Sequence, residues 1–302
     1  MKIEINSACA NNKIYIIDFT GDDDYKVFES IYRDEFPLEN RFSAPFQISN
    51  RGEMNDCFDQ IDRECRNGAL PIIIFEGHGS SSGLYLGEQK FYGWRAKCER
   101  TESFSDCYGW ADLYYKMRTI NISCANNLIV LFSACYGSAF LSKTPIISAP
   151  APFYFGAGPT GSISGAALKS AYIDFFNLLI KDNDLNSAFK ALITHKFKSF
   201  HSERFITKLF LLYYKNYCRG RAYQNRVEHL ISQYRMSAPD LNQLSLASLR
   251  KFAKINIRDV DSAWARYRDS YLLGSDSRNS NRYNFVPSTH IPQLFSANIP
   301  SN

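Results

Sequence analysis

The sequence predicts an α/β fold in which a mainly parallel sheet carries helices on both faces. Three short, continuous apolar runs rich in β-branched and aromatic residues have the length and composition of strands buried on both sides. Segments with apolar residues three or four apart alternate with these runs, as right-handed βαβ connections require.

The first run, Lys13 to Phe19, stops at Thr20-Gly21 and reads as a strand ending near Asp18. From Glu53 to Arg66, Met54, Phe58, Ile61 and Cys65 fall on one helical face, and Asn67-Gly68 supplies a left-handed cap. The second run, Pro71 to Phe75, leads into Glu76-Gly77-His78-Gly79-Ser80, so a glycine-flanked histidine ends that strand. Residues 82 to 89 have the pattern of a hairpin, and Trp110 to Ile122 repeats Leu113, Met117 and Ile120 at helical spacing. The third run, Asn127 to Ser133, delivers Ala134-Cys135-Tyr136-Gly137 at its carboxyl end. Helices are expected over 166–179, 185–192 and 225–234, with Arg219-Gly220-Arg221 breaking a helix rich in Tyr and Leu.

Composition excludes several classes of protein. Of 302 residues, 45% are hydrophobic and 22% charged, which suits a globular chain with a sizeable core rather than a disordered one. The net charge is +5, with cations interspersed among Asp and Glu, so no nucleic-acid partner is expected. No run approaches the roughly 18 apolar residues of a membrane span, and the opening Met1-Lys2-Ile3-Glu4 lacks a signal peptide's apolar stretch. The expected location is therefore the cytoplasm, with no membrane association. The eight cysteines include no C-x-x-C pair, so neither a metal site nor a cofactor is expected, and reduced thiols are. Most of these cysteines read as small apolar core residues.

Ligands of open α/β sheets bind at the carboxyl ends of the strands, which places His78 and Cys135 on one rim. A free thiol with a pKa of roughly 8.5 is mostly protonated at neutral pH and needs a neighbouring imidazole to become a strong nucleophile. His78 is the candidate base. The N–H of Gly79, approachable because the residue has no side chain, and the N–H of Cys135 are candidates for an oxyanion hole. A lone cysteine after an apolar strand is usually core filler; a His-Gly and a Cys-x-Gly that each end a buried strand make a catalytic dyad the stronger reading. The other histidines, His195, His201, His229 and His290, follow no buried strand and read as solvated or cap-forming.

These motifs resemble the caspase-like cysteine peptidases, a family that includes caspases, metacaspases, separase and bacterial CHAT-type proteases. Caspases carry Q-A-C-x-G with the catalytic histidine about 50 residues upstream. This chain has Ser133-Ala134-Cys135-Tyr136-Gly137, with His78 lying 57 positions earlier. The bacterial branch is closer, with its Trp-containing helix ending in Ile-Asn and an Asn-Asn-Leu strand; here these are Trp110, Ile120-Asn121 and Asn126-Asn127-Leu128. The resemblance covers residues 10 to 215. It implies a three-layer αβα sandwich and cleavage of a protein substrate through an acyl-enzyme, regulated by a partner or by processing. For a bacterial member, it further implies a role in antiviral defence or cell death.

Substrate preference rests on fewer residues. Caspases bind Asp with an arginine that follows strand one, whereas this chain has Asp18 and then Asp22-Asp23-Asp24. With Glu76, two residues before His78 on the same strand face, these acids suggest a basic residue before the cleaved bond. Ser133, two residues before Cys135, faces the same pocket but is uncharged, and an acidic loop is more often simply solvated. Two rival readings stay open: a binding module that keeps the fold without catalysis, and a cysteine hydrolase acting on another bond. The peptidase domain is expected over 1–218. A helical extension over 219–302, polar and flexible around 275–284, would complete the core or contact an activating or regulatory protein.

Overall fold

The computed structural model describes residues 10–20, 26–36, 39–86, 107–142, 148–237 and 243–296. They fall into two compact units, Ser7–Ser202 and one that holds Glu203–Asn302.

The first unit begins with β1 (Lys13–Asp18), the short α1 (Val27–Ser30) and β2 (Phe46–Gln47). Next comes α2 (Arg51–Arg66), whose first turn is capped by the Asn50 side chain accepting from the Glu53 N–H and whose end is closed by Gly68 at φ +100°. It leads to β3 (Pro71–Glu76), then β4 (His78–Gly79), β5 (Gly83–Tyr85) and β6 (Cys107–Gly109). Then follow α3 (Trp110–Ser123), β7 (Ile129–Ser133), α4 (Ser138–Leu141), β8 (Phe155–Pro159), α5 (Gly165–Lys181), α6 (Leu185–Thr194) and β9 (Phe197–His201).

Six strands form one sheet in the order β2-β1-β3-β7-β8-β9, parallel except for the antiparallel β9. Every residue of β3 and β7 is buried, as a sheet covered on both faces demands. Tyr15, Ile17, Ile73, Phe75, Val130 and Phe132 share a core with Met54, Phe58 and Ile61 of α2 and Leu113, Met117 and Ile120 of α3. The alternate residues, Ile16, Ile74 and Leu131 among them, are buried on the opposite face. There the α5 Tyr172 hydroxyl reaches the Phe132 carbonyl at 2.7 Å, and its ring packs on Phe28 of α1. The α/β class with a mainly parallel sheet is thus as expected, with helices on both faces.

The expected hairpin over 82–89 is replaced by a different pairing. β4 and β5 are the hairpin, turning at Ser80–Ser82, and β6 adds to β5 as a third antiparallel strand. Hydrogen bonds from Ser80 to Gly83 close the turn. Residues 87–89 lie outside the described residues.

The second unit is helical: α7 (Ser202–Tyr217), α8 (Gly220–Ser237), α9 (Leu246–Arg258), α10 (Val260–Tyr271) and α11 (Pro287–Ser296). Gly220, at φ +55°, supplies the break expected between α7 and α8. One cluster joins Val227 and Ile231 to Leu249, Ala253 and Ile257; another packs Phe210, Trp264 and Phe285 edge to face. The division at Ser202–Glu203 falls at the start of α7, whereas the expected domain ended at 218, just after it. The polar run 275–284 is tied down by buried Asn279, whose amide donates to the Leu273 carbonyl, and by the Tyr283 hydroxyl donating to that of Leu272. No helix among the described residues is long and apolar enough to cross a membrane.

Candidate active site

His78 reaches the rim because β3 breaks at Gly77. That residue lies at φ +153°, and a Cβ there would fall 2.3 Å from the Phe19 ring, so only glycine lets the chain turn from β3 into β4. His78 and Gly79 then pair with Tyr85 and Leu84 of β5. The Trp110 indole N–H donates to the Ser80 carbonyl at 3.1 Å, anchoring the following turn to the start of α3.

Cys135 is delivered by β7 and held by the packing beneath it. The Phe132 ring stacks on Phe75 at 5.2 Å and meets Trp110 edge-on at 5.4 Å. Gly137 passes so close over Phe132 that a Cβ would lie 2.3 Å from the Phe132 Cβ. Tyr136 takes φ +59°, a conformation costly for a residue with a side chain, and its N–H donates to the Gly161 carbonyl at 3.2 Å. Its side chain is 44% exposed, immediately beside the thiol. Gly158 of β8 lies against the Gly137 backbone.

β3 and β7 are hydrogen-bonded neighbours in parallel register, so His78 and Cys135 leave the same end of adjacent strands. A Cβ on Gly79 would lie 2.6 Å from the Cys135 carbonyl oxygen and 3.1 Å from the Ala134 Cβ. The absent side chain is what lets the His78-Gly79 backbone touch that of Ala134-Cys135. Both residues of the expected dyad are partly exposed.

Asp18, Glu76 and Ser133 form one row across β1, β3 and β7, paired Asp18 to Glu76 and Glu76 to Ser133. All three are buried. Asp18 accepts from the Thr20 N–H at 2.9 Å and pairs with the Lys26 ammonium at 3.2 Å. Glu76 accepts from the Phe28 N–H at 2.9 Å; burial pushes its carboxyl up to about 7, and the nearby Asp18 charge adds to the rise. The Ser133 hydroxyl has no hydrogen-bond partner among the described residues. The expected acidic cluster is thus a strand-end row beneath α1, while Asp22, Asp23 and Asp24 lie outside the described residues. A scan against models of protein families finds no match, and a search of the curated proteins finds none.

Three other cysteines differ from Cys135 in their burial, whereas Cys107 and Cys218 are, like it, partly exposed. Cys57, Cys65 and Cys124 are fully buried in the α2–α3 core, and burial pushes the Cys57 thiol up to about 12, which leaves it inert. Among the described residues no group of three or more His, Cys, Asp or Glu is placed to hold a metal. His195 sits 3.1 Å from Asp174, and the His290 Nδ1 lies 2.8 Å from the Val286 carbonyl oxygen and 3.1 Å from its nitrogen, as expected for solvated or capping histidines. His201 departs from that expectation. It ends β9, is buried, and packs its ring on Tyr154 at 4.7 Å and Phe155 at 5.3 Å. The polar Lys198-Ser199 alternation hid that strand.

Sequence reading also missed Gly77, Lys26, Tyr136 and Gly161. The signal for Gly77 was present in the paired glycines around His78; the other three depend on contacts across distant segments.

Proposed function

We propose that the protein is a caspase-like cysteine endopeptidase using Cys135 as nucleophile and His78 as general base. The observation that carries this reading is the close approach of the His78-Gly79 and Ala134-Cys135 backbones, permitted by the missing Cβ of Gly79. In this reading His78 takes the thiol proton and Sγ of Cys135 attacks the scissile carbonyl. The N–H groups of Gly79 and Cys135 receive the developing oxyanion. The proton passes from His78 to the leaving amine as the C–N bond breaks, and water, deprotonated by His78, then cleaves the thioester. The six-stranded, mainly parallel sheet with helices on both faces is compatible with the three-layer sandwich of that family.

For the residue before the cleaved bond we propose a basic side chain. The buried Asp18 carboxylate already pairs with the Lys26 ammonium, the Glu76 carboxyl beside it ionises only near pH 7, and the Ser133 hydroxyl next to them is unsatisfied among the described residues. The row already draws one cation, and a substrate Lys or Arg would compete for the same charge. A regulated role in bacterial defence or cell death, with a protein partner that controls activity, follows from the same resemblance.

The test is a diverse peptide library incubated with the parent, Cys135→Ala and His78→Ala proteins and read by mass spectrometry. Cleavage by the parent, lowered at least ~10⁴-fold in both variants, with Arg or Lys enriched before the cut, is the expected result. Enrichment of Asp or large apolar residues would end the basic preference. Thiol labelling by small reagents but not by peptidyl electrophiles would point to a different cysteine hydrolase.

A further inference from the structure

Charge is unevenly divided along the chain. Residues 203–302 contain 15 Lys and Arg against 7 Asp and Glu, whereas residues 1–202 contain 20 against 23. Within the basic segment, α9 is the most one-sided helix: its 13 residues include four cations and no acid. Only Leu249, Ala253 and Ile257 are buried, holding it to Val227 and Ile231 of α8. Arg250 turns back to Glu228 at 2.9 Å. That leaves Lys251, Lys254 and Arg258 exposed, at the i, i+3, i+7 spacing of a single stripe. Beside this stripe Phe252 and Ile255, also three apart, are 44% and 56% exposed.

We propose that this face of α9 is a docking surface for an acidic amphipathic helix of a partner protein, a reading independent of the protease assignment. The two stripes together select the partner. Carboxylates at helical spacing match Lys251, Lys254 and Arg258, and an adjoining apolar stripe covers Phe252 and Ile255, which solvent otherwise meets. A nucleic-acid backbone satisfies the cations but leaves Ile255 uncovered. A membrane needs a broad apolar face, and the broad apolar face of α9 is turned inward onto α8.

The test uses the full chain and fluorescence anisotropy of a designed helical peptide, with Glu at i, i+3, i+7 and Leu on the adjoining stripe. Single-stranded DNA, duplex DNA and phosphatidylserine vesicles serve as competing probes. The expected result is peptide binding that weakens as salt rises from about 50 to 500 mM. It falls tenfold or more in both Lys251→Glu/Lys254→Glu and Phe252→Ser/Ile255→Ser, and survives in Lys251→Arg/Lys254→Arg. All substituted positions are exposed, and circular dichroism verifies the fold of each variant. No peptide binding at low salt overturns the proposal. So does tighter binding of DNA or vesicles than of peptide, or a peptide affinity indifferent to the apolar pair.

Discussion

Gly79 and Glu76 lie three residues apart, and each links a side-chain choice to a measurable outcome. In Gly79→Ala the new methyl would point into the Cys135 carbonyl oxygen at 2.6 Å, forcing the two backbones apart. The proposed cleavage is expected to fall by about 100-fold or more, read as kcat/KM, with an unchanged circular dichroism spectrum, because the proposed oxyanion donors lose their spacing. Glu76 makes stability depend on pH in the direction opposite to a salt-bridged carboxylate. Its ordinary value is 4.5 and its native value about 7, because burial penalises the charge. Below about 4.5 both folded and unfolded states hold the proton and nothing is lost. Between about 4.5 and 7 the unfolded state releases the proton while the native carboxyl, held in a desolvated place, keeps it, so stability falls across this window and levels off above 7. Glu76→Gln keeps an acceptor for the Phe28 N–H. It should match the parent near pH 4 and exceed it at pH 8 by about 1–3 kcal/mol in urea unfolding. A variant weaker than the parent at pH 8 would mean that the native state depends on the charged carboxylate.

Among the elements, the junction of α3 with β7 is held by a buried amide network. The Asn121 amide donates to Asn126 Oδ1 and to the Ala151 carbonyl, each at 2.8 Å, and its oxygen accepts the Leu128 N–H at 3.1 Å. Asn121→Leu strands all three partners in the core and should cost about 3 kcal/mol, measured by chemical denaturation. Sequence pointed to these asparagines only through family resemblance, since a polar residue in an apolar pattern announces neither its depth nor its partners. The strands β1, β3 and β7 were legible because both their faces are buried, which leaves continuous apolar runs. β8 was not. Its Phe155-Gly156-Ala157-Gly158-Pro159 reads as a turn, and its glycines make sense only once Leu141, Phe153 and the Gly137 backbone occupy the space their Cβ atoms would need. The shared rim position of His78 and Cys135 was legible for the same reason as their strands, because each directly follows one. The partners of the acidic row were hidden, since Lys26 and Phe28 reach Asp18 and Glu76 from a segment with no periodic signal.

For the whole chain, two compact units with separate apolar clusters predict unfolding that departs from a single two-state step. Differential scanning calorimetry should resolve more than one transition. Ile231→Ala, in the helical cluster, should cost about 2–4 kcal/mol and lower one transition by several degrees while moving the other less. A single transition shifted as a whole would show that the two clusters melt together. The spacing of Cys135 and His78, the proposed nucleophile and base, has its own consequence at this scale. The β3–β7 ladder sets it, through rungs roughly 4.8 Å apart, and the polypeptide that runs from one strand to the next does not. Continuity of that polypeptide is therefore dispensable: severed outside its helices and strands, or lengthened by an inserted module, the chain would still bring thiol and imidazole to the same rim, as two fragments that reassemble around one sheet.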